Sequence, residues 1–153
     1  MTEEFLDKID VERCGRDFFF FIQQFWSITI PEEPVYNWHI PYLAKELQIA
    51  AERVKAGENN LHDLLINIPP GTTKTTICIV MYPVWIWLVY PEARILTLNY
   101  SARGAVDKSS LSKDIIKSDK FKRFFPDIEI RQGHDDKETY KNTQKGERVA
   151  KGL

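Results

Sequence analysis

Residues 64–80 read LLINIPPGTTKTTICIV. The short apolar run LLINI ends at a double proline, and that length with those flanks predicts a buried strand. Gly71 and Thr72 supply a tight turn, and the apolar run after Thr75 predicts a helix. In such a strand, turn and helix, backbone N–H groups converge on an anion at the helix start, where the helix dipole adds to the attraction. The lysine of such a loop reaches the β- and γ-phosphates of a nucleotide, and the next hydroxyl holds magnesium. Lys74 and Thr75 stand at those two positions, with Thr76 following in the first helical turn. The amides of Thr72, Thr73 and Lys74 are expected to cradle phosphate.

The full pattern, G-x-x-x-x-G-K-[ST], asks for glycine at positions 68 and 73, where this chain has Ile68 and Thr73. Glycine before the lysine lets the backbone take a positive φ next to the phosphate. A threonine there is strained by roughly 1–2 kcal/mol if φ must be positive. The plain alternative is a proline-glycine turn with an exposed lysine.

The regions around the loop extend the pattern. VERCGRDFFFFIQQFWSI, residues 11–28, predicts one helix whose Phe18, Phe21, Ile22 and Phe25 share an apolar face. Pro31 and Pro34 make a connector. Leu43, Leu47, Ala50 and Val54 predict a second helical face, with Pro41 tolerated in the first turn and Gly57 as the stop. RILTLNY, residues 94–100, predicts a second buried strand, and a lysine-rich helix is expected over residues 105–117. Strand, helix, strand, helix predicts a parallel sheet covered by helices on both faces. DIEIRQ and ETYKNTQKGERVAKG predict short strands, with Gln144, Lys145 and Gly146 turning a hairpin.

The 153 residues suffice for a domain with a real core, and a net charge of −1 carries no global sign of nucleic-acid binding. Cys14 and Cys78 make no disulfide framework and fit a reducing compartment, with Cys78 expected to be buried. The acidic start MTEEFLDKID lacks the basic region of a secretory signal. ICIVMYPVWIWLVY, residues 77–90, is shorter than the roughly 18 residues of a membrane span. Pro83 interrupts it, and it reads as a buried helix.

Four stretches together resemble a known family: FWSITIPEEPVYNWHIPYLAKEL, LLINIPPGTTKTT, VMYPVWIWLVYPEARILTLNYS and NTQKGERVAKG. In this order and spacing they are similar to the N-terminal ATPase domain of bacteriophage large terminase subunits, the motors that package viral DNA. Residues 38–40 look like that family's tryptophan-histidine segment, and the family's loop also has a double proline and no glycine at the Ile68 position. The resemblance implies an α/β P-loop NTPase-type fold, a parallel sheet flanked by helices. A helical segment over 1–60 would lead into a partial ATPase core over 61–153. It implies ATP and Mg2+ as cofactors, with Thr75 on magnesium and Trp38 and His39 near the nucleotide base, the plain alternative for these two being a packed tryptophan with a polar neighbour. The implied partners are double-stranded DNA, held non-specifically by its backbone, the portal protein and the small terminase subunit. The parent protein would be an ATPase forming a ring in the host cytoplasm, with no membrane contact.

Two departures stand out. Family members commonly carry arginine where Gly71 stands and glycine where Thr73 stands. The acid-bearing strand that organises magnesium is not found, and the family places it shortly after GERVAKG. The catalytic acids, and a nuclease domain, are therefore expected beyond Leu153, with none in this chain. PPGT-KT also fits a helicase-like or AAA-type P-loop ATPase, and a decayed prophage remnant would tolerate Thr73.

The remaining candidates read as structural. His39, His62 and His134 have no metal-ligand spacing. Arg103, Lys108, Lys113, Lys117, Lys120, Lys122 and Arg123 form a basic stretch, read as a solvated helix face in preference to a DNA contact. Asp135 and Asp136 read as a loop.

Overall fold

Asp17 breaks the first predicted helix into two. A computed structural model describes residues 3–59 and 63–153, with α1 at Glu3–Arg16 and α2 at Phe18–Thr29. Asp17 takes extended backbone with φ −136°, and its carboxylate accepts from the Phe20 N–H at 3.0 Å. That bond satisfies one of the donors a helix start leaves unpaired. The break lets α2 lie across the core, where Phe18, Phe21, Ile22 and Phe25 are buried.

Helix α3 spans His39–Lys55, with Pro41 in its first turn as predicted. Gly57 takes φ +70°, and the Glu58 N–H returns to the Arg53 carbonyl at 3.0 Å, which ends the helix. Leu43 and Leu47 are buried, but the buried face drifts onto Ala44 and Ala51, and Val54 is exposed.

The strand predicted over residues 64–68 does not form. The segment is irregular, and Leu65 is 90% exposed. A strand needs a neighbour to pair its N–H and C=O groups, and among the described residues none pairs with this segment.

Lys74 begins the next helix. Thr76–Met81 winds as a π-helix, and α4, Tyr82–Val89, continues it. Pro83 accounts for the widening. It lacks the N–H that would bond the Ile79 carbonyl four residues back, and its ring crowds that carbonyl. A π turn, closed by the Tyr82 N–H on the Ile77 carbonyl, relieves the clash. No helix of the described residues is long and apolar enough to cross a membrane.

Strand β1 is Arg94–Asn99, followed by α5 at Ala102–Lys117 and α6 at Asp119–Phe124. Then come β2 at Ile130–Asp135, β3 at Thr139–Asn142 and β4 at Glu147–Gly152. They form one four-stranded sheet in the order β1-β4-β3-β2. Only β1 and β4 run parallel, and the other two pairings are antiparallel. The chain is thus α/β with a small mixed sheet, not the wholly parallel one predicted. The hairpin at residues 144–146 forms as read, with the Asn142 Oδ1 accepting from the N–H of Gln144 at 2.9 Å and of Gly146 at 2.7 Å. The strand expected over residues 127–132 starts later, at Ile130.

Among the described residues, helices do not cover both sheet faces. Thr97, Ala150, Arg148 and Tyr140 are buried on the face that α5 covers. On the opposite face Leu96 is 63% and Leu98 51% exposed, against the buried strand predicted. One core joins the N-terminal helices to the rest. Phe18 packs on Trp85 with ring centroids 5.1 Å apart, and Trp85 donates to the Cys14 carbonyl at 2.8 Å. Each such buried aromatic contributes on the order of 2–3 kcal/mol. Cys14 is the fully buried thiol, whereas Cys78 is half-buried.

Candidate nucleotide site

The loop after the double proline is a turn with two left-handed residues. Gly71 takes φ +79° and Thr73 takes φ +59°. Thr73 therefore holds the conformation that glycine occupies cheaply, and two side-chain bonds fix the turn around it. Thr72 Oγ1 donates to the Pro69 carbonyl at 2.7 Å, and Thr73 Oγ1 donates to the Thr72 carbonyl at 2.6 Å. The Ile77 N–H closes the first ladder bond on the Thr73 carbonyl at 3.0 Å. The amides of Lys74, Thr75 and Thr76 thus lie ahead of the ladder, as the free donors of a helix start do.

Lys74 does not extend from the loop. Its Nζ donates to the Ile68 carbonyl at 2.7 Å, and the side chain is half-buried. Thr75 is exposed and Thr76 half-buried.

Two clefts flank the loop. One, of about 290 Å³, is walled by Gly71, Thr72 and Thr73 on one side and by Trp26, Glu32, Asn37 and His39 on the other. The second, of about 220 Å³, lies between the start of α3 and the irregular segment before the loop, lined by Trp38, His39, Tyr42, Leu64 and Leu65. His39 borders both. A carbonyl only accepts, so the His39 Nε2–H donates to Thr72 O, at a long 3.4 Å. Trp38 stands 79% exposed at the rim of the second cleft, edge-on to His39 with ring centroids 6.2 Å apart. The structure thus brings His39 to the loop residues 71–73 and Trp38 to the segment before the loop, residues 64–68, whereas Lys74 lines neither cleft.

Among the described residues no group of three or more His, Cys, Asp or Glu side chains is placed to hold a metal ion. His62 lies outside the described residues. His134 and Asp135 are in β2, so Asp135 is a strand residue where a loop was expected. Lys113 and Lys117 pair with Asp135 at 2.7 and 2.5 Å. Lys120 donates to the carbonyl and side chain of Gln24, and Arg123 pairs with Asp7. Much of the basic stretch is therefore engaged within the fold.

Sequence reasoning missed the cleft wall from residues 26–37, which no motif marks. It also missed that Arg148 is buried. The signal for that residue was Pro83, which leaves a helical carbonyl without its donor. Compared with protein-family models, with curated proteins and with solved structures, the chain has no match.

Proposed function

We propose that this chain is the nucleotide-binding part of a viral DNA-packaging motor of the large-terminase type, in which ATP hydrolysis drives double-stranded DNA into a capsid. The observation that carries the reading is Thr73. It holds a positive φ directly before Lys74 and a helix start, which supports a phosphate-loop turn despite the missing glycine. Helix-start amides of residues 74–76 supply donors for phosphate oxygens. Thr75, exposed at the first turn, would hold magnesium, which supplies charge neutralisation between the phosphates. Trp38, with its ring largely in water, offers a face on which a base can stack. The P-loop fold, the non-specific contact with DNA backbone, the portal and small-subunit partners, the ring and the host cytoplasm follow from the sequence resemblance and belong to the same proposal.

Calorimetric titration of MgATP tests it. Binding in the micromolar range, weakened at least tenfold by Lys74→Ala, is expected. Millimolar or weaker binding that Lys74→Ala leaves unchanged would remove the reading. Two observations favour a second reading: Lys74 is bonded to the Ile68 carbonyl, and residues 64–68 lie outside the sheet. A loop that keeps its shape without taking nucleotide, as in a prophage remnant, fits those two facts and predicts the negative titration.

A further inference from the structure

Arg148 is fully buried, and its guanidinium meets only neutral groups among the described residues. It sits on β4, beneath α5. One terminal nitrogen, Nη2, donates to the Ile79 carbonyl at 2.6 Å. The other, Nη1, donates to Ser112 Oγ and, at 3.4 Å, to the Tyr140 hydroxyl. Ser112 Oγ in turn donates to the Val80 carbonyl at 2.7 Å. The Arg148 Nε has no hydrogen-bond partner among the described residues. A buried cation without a carboxylate is costly unless strong acceptors replace water, so its acceptors identify what it does.

One of them, the Ile79 carbonyl, lies in the π-helical stretch Thr76–Met81 that follows Lys74 and Thr75, and Ser112 relays a second bond to Val80 in the same stretch. Ile79 stands four residues before Pro83, and in an α-helix its carbonyl would take the N–H that proline lacks. Arg148 supplies the missing donor from another element, and Ser112 adds one to the next carbonyl. The wide turn and the buried guanidinium thus satisfy each other.

We infer that Arg148 is a positioning residue for the loop: by holding the π turn, it sets the register of the helix start and hence where Lys74 and Thr75 stand. Its effect on phosphate affinity rests on the proposed nucleotide binding, whereas its effect on the helix register does not. Strand β4 pairs with β1 and lies in the sheet, so the Arg148 side chain ties the π turn that follows the loop to the sheet.

A cycle of Arg148→Met and Pro83→Ala tests this. Pro83→Ala restores the backbone donor for Ile79, which makes Arg148 redundant for the helix. Amide exchange by NMR reads the register, and calorimetry reads MgATP affinity. With Pro83 in place, Arg148→Met is expected to speed exchange at residues 77–82 at least tenfold more than in α3, and to weaken MgATP at least tenfold. In the Pro83→Ala background both effects should fall below threefold, whereas a general loss of stability would persist in both. Arg148→Lys, which keeps charge and reach with a single donor group, should recover part of each effect, and it replaces Arg148→Met if that variant does not fold. Equal losses in both backgrounds, or exchange at residues 77–82 no faster than in α3, would overturn the inference. If the unmodified chain does not bind MgATP, the functional proposal falls, and exchange alone decides the register.

Discussion

The Lys74 ammonium donates to the carbonyl of Ile68, six residues earlier, and ties the loop back on itself. A phosphate group would have to draw the lysine from that carbonyl, exchanging a neutral acceptor for a charged one. The bond to Ile68 is already charge-assisted through the ammonium, and phosphate oxygens add a full charge–charge attraction to it, which favours the exchange once a triphosphate is seated.

Thr73→Gly separates the cost of folding from the cost of binding. From the sequence, relief of strain would tighten nucleotide binding. The structure places that strain in the fold itself, because Thr73 holds φ +59°. Relief of roughly 1–2 kcal/mol then appears in stability, offset by about 0.5–1 kcal/mol of added chain entropy and by the lost Thr73 Oγ1 bond. Urea unfolding should show a change within about 1 kcal/mol, and calorimetry a change in MgATP affinity below threefold. Tightening of tenfold or more would mean that the free loop does not hold this turn.

Gly146→Ala should be severe. An added Cβ would lie 2.3 Å from the Pro91 carbonyl and 2.7 Å from the Trp87 Nε1. Those are backbone and buried-ring atoms that cannot step aside, and overpacking of this kind typically costs about 1–3 kcal/mol or more. Thermal unfolding should move down by at least several degrees. An unchanged midpoint would show that the β3–β4 turn does not sit against Trp87.

Asp135 should give an acid-side signature. Partial burial pushes its carboxyl up, but the hydrogen bonds and charges of Lys113 and Lys117 outweigh that and hold it below the ordinary aspartate value. A pKa depressed by folding contributes stability above the unfolded value, and the contribution disappears as pH falls through the folded one. Unfolding curves of the native chain and Asp135→Asn should therefore differ by a constant amount above about pH 4 and converge below it. A gap that widens in acid would contradict the pairing.

Both thiols should be slow to alkylate. Burial pushes Cys14 up to about 12 and Cys78 up to about 11, the latter against a lowering influence from Lys74. Reaction needs the thiolate, so iodoacetamide at a mildly alkaline pH of about 8, below the ordinary thiol value, should label neither until the chain unfolds. Rapid native labelling of Cys78 would show that the helix after the loop opens.

What the sequence made legible was local. The stop at Gly57, the turn at residues 144–146 and the helix after Lys74 follow from residue chemistry close in the chain. So does the left-handed turn at Thr73, readable from the place glycine holds in such loops. The break at Asp17 was legible too, since aspartate before an apolar run marks a helix start, but the continuous phenylalanine periodicity masked it. What failed was tertiary. LLINI has the composition of a buried strand, yet burial requires a neighbour, and no residue within the segment specifies one. RILTLNY forms a strand, but its apolar character does not say that one side stays wet. Arg148 reads as a surface residue of an alternating strand, and only the carbonyl stranded by Pro83 explains its place inside.

The two ends of the sheet are unequal. At the β2 end, Arg131, His134 and Asp135 and a break in register make a charged, bent margin that discourages further pairing. At the β1 end, Leu96 and Leu98 lie exposed within a strand whose outer N–H and C=O groups meet no other strand of the described residues. Any lengthening of this sheet, by whatever chain supplies the extra strand, therefore has one direction in which to proceed.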